Sequence, residues 1–190
     1  MIRGLLLAGG SGTRFGGGKL LAAAPRDPLP IGVRAARSLL SGLGNALAVV
    51  RAGDAALARA LREAGCEVLE SPDSARGLGA SISAGVKASR DAGGWLVALA
   101  DMPLILPSTH RAVAGALSHG TKLAAAGDAT GRRGHPVGFA AEFLAELAAL
   151  DGDEGARSVV ERHRAWFELV RVDDPGIFVD IDTPGDLAGG

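Results

Sequence analysis

Two cations stand on a glycine-rich segment that directly follows the first apolar run of the chain. Six glycines lie between positions 9 and 18, and Arg14 and Lys19 are the basic residues of this segment. Glycine lets backbone N–H groups come close to a ligand, so a segment of this kind can wrap around an anion. Backbone donors together with two fixed positive charges suit a polyphosphate. We therefore predict a phosphate-binding segment here, the alternative being a merely flexible turn.

Two familiar phosphate-binding patterns do not fit this segment. A P-loop requires glycine at position 13 and serine or threonine at position 20, where the chain has Thr13 and Leu20. A dinucleotide-binding fingerprint requires a third glycine where the chain has Phe15, and an acidic residue about 20 positions further on. Residues 28–40 contain no acid. The segment therefore belongs to another kind of phosphate site.

Acidic residues that follow apolar segments are the candidate metal ligands. Asp101 ends a run that reads as a buried strand, and alternation along the closing segment puts Asp180 and Asp182 on one face. Mg²⁺ prefers oxygen ligands and is commonly held by one or two carboxylates together with substrate phosphates. The alternatives are structural, with Asp101 capping a turn and Asp182 or Thr183 capping a short helix.

Three further polar segments have both functional and structural interpretations. The basic loop Gly131–Pro136 suits a phosphate monoester, although a histidine before proline is more often structural. The segment Ser71–Ser83 is a second polar loop or begins a helix with Ser81 as its cap, and these two interpretations are compatible. Asp151–Arg157 resembles a helix start whose acids are explained by the helix dipole.

The elements that position these residues alternate between strand and helix patterns. After the first apolar run, short apolar stretches predict strands at Leu47–Val50, Cys66–Glu70, Trp95–Ala100, Leu123–Ala126 and Phe167–Val172. Apolar residues at three- and four-residue intervals predict helices at Ile31–Leu40, Asp54–Ala64, Ala80–Ser89 and Pro107–Ser118. Asp54 and Ser108 are candidate N-caps. This alternation predicts a mostly parallel sheet covered by helices on both faces, with ligands beyond the strand C-termini.

Length, composition and charge narrow the class of protein. We expect residues 1–190 to form one domain, with a small-residue core because 47% of residues are hydrophobic and only 4% aromatic. The net charge of −1 gives no general attraction to nucleic acid or to an anionic membrane, so neither is expected as a partner. No apolar run approaches 18 residues, no secretory leader is evident and Cys66 stands alone, so a cytoplasmic protein is expected.

Motifs along the whole chain resemble those of one family. The first loop is similar to the G-x-G-x-x-R-x-G-x-x-K signature of nucleoside triphosphate transferases, through Gly10, Gly12, Arg14, Gly16 and Lys19. Further segments resemble the MobA-like branch, the molybdenum cofactor cytidylyl- and guanylyltransferases, in that family's order. These segments are Leu99–Pro103, Gly131–Val137, Gly152–Arg157 and Asp180–Pro184. Residues 20–30, with three prolines, depart from the family's pattern.

The resemblance implies a fold, a reaction and a set of site residues. The fold would be a three-layer α/β/α sandwich of the nucleotide-diphospho-sugar-transferase type, and the reaction would be Mg²⁺-dependent transfer of a nucleoside monophosphate from CTP or GTP. The acceptor would be a phosphorylated pterin such as molybdopterin, with a molybdoenzyme as a possible partner. The implied roles are catalysis by Arg14 and Lys19, and metal binding by Asp101 and Asp182. The nucleotide-binding residues would be Leu7, Ala8, Gly9, Gly10, Ser11, Gly12, Thr13, Gly79 and Ser81, and the acceptor-binding residues Arg133, Gly134 and His135.

The choice of nucleotide and two rival functions stay open at this point. Leu7–Gly10 is similar to the guanylyltransferase loop, and Gly9 leaves room for a purine, whereas the other motifs look like the cytidylyl branch. These motifs cover more of the chain, so we favour CTP over GTP. A sugar-phosphate nucleotidyltransferase would share the first loop and Asp101 but not the Gly-His-Pro loop. A non-catalytic accessory protein for a molybdoenzyme would bind the cofactor without transfer.

Overall fold

The computed structural model describes residues 1–10, 15, 17–24 and 27–187. Within these residues the strands are β1 Arg3–Ala8, β2 Leu47–Arg51, β3 Glu67–Ser71, β4 Gly94–Leu99, β5 Leu123–Gly127, β6 Arg133–Ala140 and β7 Phe167–Arg171. The α-helices are α1 Ile31–Leu43, α2 Ala55–Glu63, α3 Leu78–Ala88, α4 Pro107–Ser118, α5 Leu144–Ala148 and α6 Arg157–Arg162. Short 3₁₀ helices lie at Lys19–Leu21, Pro72–Arg76, Ala141–Phe143, Arg164–Trp166, Pro175–Phe178 and Pro184–Leu187.

The strands form a mixed sheet in the order β3-β2-β1-β4-β6-β5-β7. Helices α1, α2 and α3 connect the first four strands, and such crossovers make those strands parallel. Strand β6 runs antiparallel between β4 and β5, whereas β5 and β7 pair in parallel. The order turns back between β1 and β4, which is the switch point where open α/β sheets bind ligands.

The core lies in two layers, one on each face of the sheet. Along β1, Leu6 and Ala8 face the layer covered by α1, α2 and α4. Leu5 and Leu7 face the opposite layer, to which α3, α5 and α6 contribute. This alternation follows from the period of two residues along a strand. The predicted α/β/α sandwich with a mostly parallel sheet is confirmed. Among the described residues, no helix is both long enough and apolar enough to cross a bilayer.

The main error of the sequence prediction about strands concerns β6. We expected a basic loop at Gly131–Pro136, but Arg133–Ala140 is a strand hydrogen-bonded on both sides. Glycine and proline are uncommon inside strands, so these residues obscured the strand in the sequence. The small size of glycine also allows close packing here. A Cβ on Gly138 would lie 2.7 Å from the Leu117 side chain of α4, so only glycine lets that helix approach here.

Two of the proposed helix caps are wrong and one is confirmed. The Asp54 carboxylate accepts a hydrogen bond from the Leu57 amide at the start of α2, at 3.2 Å. Ser108 does not cap α4, because the buried Asp174 carboxylate accepts from the Leu106 amide at 2.8 Å instead. Helix α3 already begins at Leu78, so Ser81 lies inside it and its hydroxyl donates to the carbonyl of the preceding turn.

Candidate active site

The candidate active site lies at the carboxyl ends of β1 and β4. These strands pair in parallel, with Leu7 opposite Leu99, so the residues that follow them emerge side by side. Gly9 and Gly10 follow β1, and Asp101 follows β4. The glycine-rich segment and the predicted metal carboxylate, far apart in sequence, are therefore neighbours at the switch point of the sheet.

Lys19 joins the two carboxylates that the sequence singled out. Its Nζ donates to Asp101 Oδ2 at 2.8 Å and to Asp182 Oδ1 at 3.2 Å. The lysine side chain is only 11% exposed, whereas the two carboxylates are 27% and 41% exposed. Burial lowers the pKa of Lys19, but the hydrogen bonds and charges of the two carboxylates outweigh it, so the pKa is raised above 10.5. The group is a fixed positive charge at neutral pH.

A tight turn directs Lys19 toward these carboxylates. Gly18 adopts a left-handed conformation with φ of 66°, which side chains other than glycine rarely tolerate. The Leu21 amide then donates to the Gly18 carbonyl at 2.9 Å and closes the turn. Leu20 is buried beneath α1 and anchors the turn in the core. The turn therefore holds the backbone of Lys19, and the side chain reaches the two carboxylates.

The closing segment brings Asp182 to the site, although not as the strand we predicted. Residues 179–182 form no strand; the Ile181 amide instead donates to the Asp101 carbonyl at 2.9 Å. Ile181 is fully buried, which fixes its neighbour at the edge of the site. The following turn is closed by Asp186, whose Oδ2 accepts from the Thr183 amide at 2.7 Å. These backbone hydrogen bonds lower the pKa of Asp186, so its carboxylate holds the turn at neutral pH.

Two cavities flank the end of β1, and most described nucleotide-binding candidates line them. A cavity of about 210 Å³ lies beside the Lys19 turn, and one of about 370 Å³ lies toward α3. Both are lined by Leu7, Gly10 and Asp101. The first also includes Ala8, and the second includes Gly9 and Ser81. The candidates Ser11, Gly12, Thr13 and Arg14 lie outside the described residues.

Gly9 and Gly79 serve close packing, which the sequence did not reveal. A Cβ on Gly9 would lie 2.7 Å from Ser74 Cβ and 3.0 Å from Ser81 Oγ, so this position has no space for a side chain. Gly79 lies against the loop after α5, where its amide donates to the Gly152 carbonyl at 2.8 Å. That amide is therefore already used and is not offered to a ligand.

Arg51 is a candidate functional residue that sequence reasoning missed. It ends β2, next to β1, and lines the 370 Å³ cavity together with Gly9, Gly10 and Ser74. Its Nε is buried and has no hydrogen-bond partner among the described residues. A buried guanidinium donor without an acceptor is costly, and an anionic or polar ligand would satisfy it. In the sequence, the only feature that could have indicated a role for Arg51 was its position at the C-terminal end of a strand.

A third cavity carries the predicted acceptor-binding residues. It has a volume of about 230 Å³ and contains Arg133, Gly134 and His135 together with the apolar side chains of Val137 and Phe139. Burial lowers the pKa of His135, and the Arg133 charge adds to this, while Asp101 and Asp180 act in the opposite sense. His135 is therefore a neutral imidazole near pH 7, and its Nδ1 is buried without a partner in the described part of the chain.

The loop at Asp151–Arg157 is not a helix start over its whole length. Helix α6 begins only at Arg157, and the residues before it cover the N-terminus of α3. Arg76 ties this loop down, since its Nε donates to Asp151 Oδ1 at 2.9 Å. The acids of this loop thus hold two segments together beside the 370 Å³ cavity.

The segment that departs from the family's pattern lines the site in part. Leu20 and Leu21 line the 210 Å³ cavity, whereas Ala22–Ala24 and Asp27–Pro30, within the described residues, line none of the three cavities. An antiparallel bridge pairs Ala23 with Pro30. The Arg34 Nε of α1 then donates to the Pro103 carbonyl at 3.0 Å, which links the helix to the loop after Asp101.

This constellation agrees with the comparison to known families. The profile of the MobA-like NTP transferase domain matches residues 4–166, which is more than half of the chain. The chain belongs to this family. It is therefore a nucleotidyltransferase, and the resemblance found in its motifs is confirmed at the level of the family. No curated protein matches the chain significantly.

Several solved structures share the fold of this family member. Rv0371c from Mycobacterium tuberculosis H37Rv is 25% identical, with a TM-score of 0.79 over 100% of this chain and 97% of that one. The same protein in complex with manganese aligns with a TM-score of 0.76 at 25% identity, over 99% and 96% of the two chains. Mth528, a nucleotidyl transferase from Methanothermobacter, is 22% identical with a TM-score of 0.81 over 100% and 95%.

Proposed function

We propose that this nucleotidyltransferase joins the nucleoside monophosphate of CTP to a phosphorylated acceptor of the pterin type and releases pyrophosphate. One observation carries the proposal: the Lys19 ammonium contacts both Asp101 and Asp182 at the switch point of the sheet, where Asp101 also lines the two cavities beside the end of β1. An oxygen of the acceptor phosphate attacks the α-phosphorus, and the bond from that phosphorus to the leaving pyrophosphate oxygen breaks.

The two carboxylates fit a hard divalent cation. Asp101 and Asp182 offer oxygen ligands, and the Lys19 ammonium that they hold shows that their position favours positive charge. Among the described residues no group of three or more His, Cys, Asp or Glu could hold a metal, which suits an ion completed by substrate phosphates. Mg²⁺, when bound there, would supply positive charge to the α- and β-phosphates. The manganese complex of Rv0371c supports a metal-binding site in this fold.

The protein contributes positions and charges rather than a covalent nucleophile. We assign Lys19 and Arg14 to the phosphates, where positive charge stabilises the charge that develops on the leaving group. Arg51 lies in the nucleotide cavity and offers its unsatisfied Nε to the nucleotide. Burial raises the pKa of Cys66 to about 11, so this thiol is not an activated nucleophile at neutral pH.

The 230 Å³ cavity suits an aromatic ring that carries a phosphate. Val137 and Phe139 provide apolar surface, and Arg133 and Arg157 provide charge for a phosphate monoester. The motif Gly134-His135-Pro136 adds the resemblance to the molybdenum cofactor transferases, and we propose molybdopterin as the acceptor and a molybdoenzyme as the recipient of the product.

The packing of Gly9 removes the size argument for GTP. Ser74 and Ser81 fill the space beside Gly9, so the absence of a side chain at this position does not make room for a larger base. The motifs that resemble the cytidylyl branch then favour CTP. A base site built from hydrogen bonds should discriminate between CTP and GTP by more than about tenfold.

Titration of the purified protein with CTP, GTP and ATP in Mg²⁺ tests the nucleotide, and pyrophosphate release with molybdopterin tests the reaction. CTP preference with release supports the proposal, and GTP preference reassigns the base. Nucleotide binding in the absence of any transfer would point to an accessory protein. In the active protein, Asp101→Ala is expected to abolish Mg²⁺-dependent release while the circular dichroism spectrum stays unchanged.

A further inference from the structure

The ammonium of Lys19 occupies the space between the two proposed metal ligands. It contacts one oxygen of each carboxylate, Asp101 Oδ2 at 2.8 Å and Asp182 Oδ1 at 3.2 Å. An ion that binds the same two oxygens would take the place of the ammonium, and a dication is strongly repelled by an ammonium at this distance. Lys19 and a divalent cation therefore compete for these carboxylates.

We propose that Lys19 is an internal counter-ion that holds the metal site closed to free metal and leaves it only when a triphosphate offers a replacement partner. This inference rests on the metal site of the proposed function. Without nucleotide, a metal ion must displace an ammonium that is hydrogen-bonded to both carboxylates. With nucleotide, the phosphates accept the lysine, so metal and triphosphate enter the site together.

The surroundings of Lys19 permit this exchange. The 210 Å³ cavity beside it is lined by Gly10, Gly18 and Asp101, so a phosphate could lie within reach of the ammonium. Leu20 holds the backbone of the turn in the core, so only the side chain has to move. The move of the Lys19 side chain breaks its two hydrogen bonds to the carboxylates. Charge-assisted hydrogen bonds to a triphosphate would replace them.

Removing the lysine charge should expose the site to free metal. Removal of one positive charge makes the site more negative, so it attracts a dication more strongly, and one unit charge at this distance is worth a factor of about ten or more in affinity. The prediction is opposite in sign to that for a lysine that merely stabilises the site, since loss of such a residue would weaken metal binding.

The test measures Mn²⁺ binding without nucleotide, with the free ion counted by electron paramagnetic resonance. Lys19→Met and Lys19→Gln are expected to bind one Mn²⁺ about tenfold or more tightly than the wild-type protein does. The control Lys87→Met removes an exposed lysine of α3 and is expected to match the wild type. Thermal unfolding checks that each variant is folded, and the second neutral variant serves if the first does not fold.

Two results would overturn the inference. One is equal or weaker Mn²⁺ binding in both neutral variants, and the other is a tight site that persists when Asp101→Asn is added to Lys19→Met. The proposed function fails separately, on a different measurement: a folded Asp101→Asn protein that still transfers nucleotide at the wild-type rate would refute the metal role of Asp101, whatever the effect of Lys19.

Discussion

The backbone amide of Ile181 donates a hydrogen bond to the carbonyl oxygen of Asp101, at 2.9 Å. This bond and the burial of Ile181 hold the closing segment beside the end of β4. Asp101 itself and Asp182, the residue after Ile181, supply the two carboxylates that contact Lys19. Of the two acids that flank Ile181, Asp182 is therefore the one held at the lysine.

Asp182→Asn is expected to lower the rate of nucleotidyl transfer on the order of a hundredfold, because it removes one charge from the pair that we propose as the metal ligands. Asp180→Asn is the matched control two residues away, and its rate should stay within about threefold of the wild type. Steady-state kinetics of both variants in Mg²⁺ make the comparison. The opposite order of the two effects would assign the metal role to Asp180.

Lys19→Ala is expected to raise the barrier of the transfer step by about 2–4 kcal/mol, which corresponds to a loss of roughly 30- to 1000-fold in rate. The reason is the loss of a charge-assisted contact to the phosphates. Single-turnover kinetics at saturating nucleotide measure the effect, with Lys87→Ala as the control. A loss smaller than fivefold would count against the assignment of Lys19.

Arg51→Met is expected to weaken nucleotide binding by about 10- to 100-fold, because a hydrogen bond to a charged donor is worth about 1.5–3 kcal/mol. Isothermal titration with CTP measures the dissociation constant. Arg59→Met on the exposed face of α2 removes an arginine outside the cavity and is the control. If both variants bind CTP with the wild-type affinity, Arg51 does not contact the nucleotide.

Gly9→Ala and Gly10→Ala form a matched pair for stability. The new Cβ at position 9 would meet Ser74 at 2.7 Å, whereas no atom of the described residues lies within 4 Å of a Cβ at position 10. Overpacking of this kind costs about 1–3 kcal/mol, so Gly9→Ala should lower the free energy of unfolding and Gly10→Ala should change it little. Urea denaturation measures both, and equal stabilities would contradict the close contact with Ser74.

His110 should make the protein less stable as the pH falls. Burial lowers its pKa from 6.5 to about 4, with the charge of Asp174 acting in the opposite sense. Because the unfolded chain binds the proton more tightly than the fold does, stability is fully present above pH 6.5 and is lost as the pH falls toward 4. At pH 5 the loss relative to pH 7.5 is about 2 kcal/mol.

Urea denaturation at pH 7.5 and pH 5 measures this contribution. The free energy of unfolding of His110→Gln should differ less between the two pH values than that of the wild type. His119→Gln, which exchanges the exposed histidine at the end of the same helix, controls for the substitution. If the wild type and His110→Gln lose the same stability on acidification, the buried histidine is not the group responsible.

Strands β1 and β4 and helix α4 were predicted from patterns within their own segments. The apolar runs that became β1 and β4 are buried on both faces, and the positions of Gly9 and Asp101 follow directly from where these runs stop. The helix at Pro107–Ser118 has the predicted bounds because proline marks its first turn. For these elements, hydrophobic periodicity was sufficient to predict the structure. The rule that ligands bind beyond the C-terminal ends of parallel strands was then sufficient to predict the place of the site.

Contacts between distant segments could not be predicted in the same way. Asp174 caps α4 from 68 positions away, and no local pattern distinguishes it from the exposed Asp173. Strand β6 owes its existence to pairing with β4 and β5 rather than to its own glycine- and proline-containing sequence. The contact of Lys19 with Asp182 likewise depends on the path of the closing segment, which the sequence suggested only as a strand.

The attachment of the closing segment also orders the events of synthesis. Every strand of the sheet, from β1 to β7, precedes Asp174 in the chain, and Asp182 comes after it. The ribosome therefore synthesises all seven strands before it adds the second residue that contacts Lys19. A chain interrupted between β7 and Ile181 would contain β1 to β7 but would lack both the hydrogen bond to the Asp101 carbonyl and the Asp182 carboxylate beside Lys19.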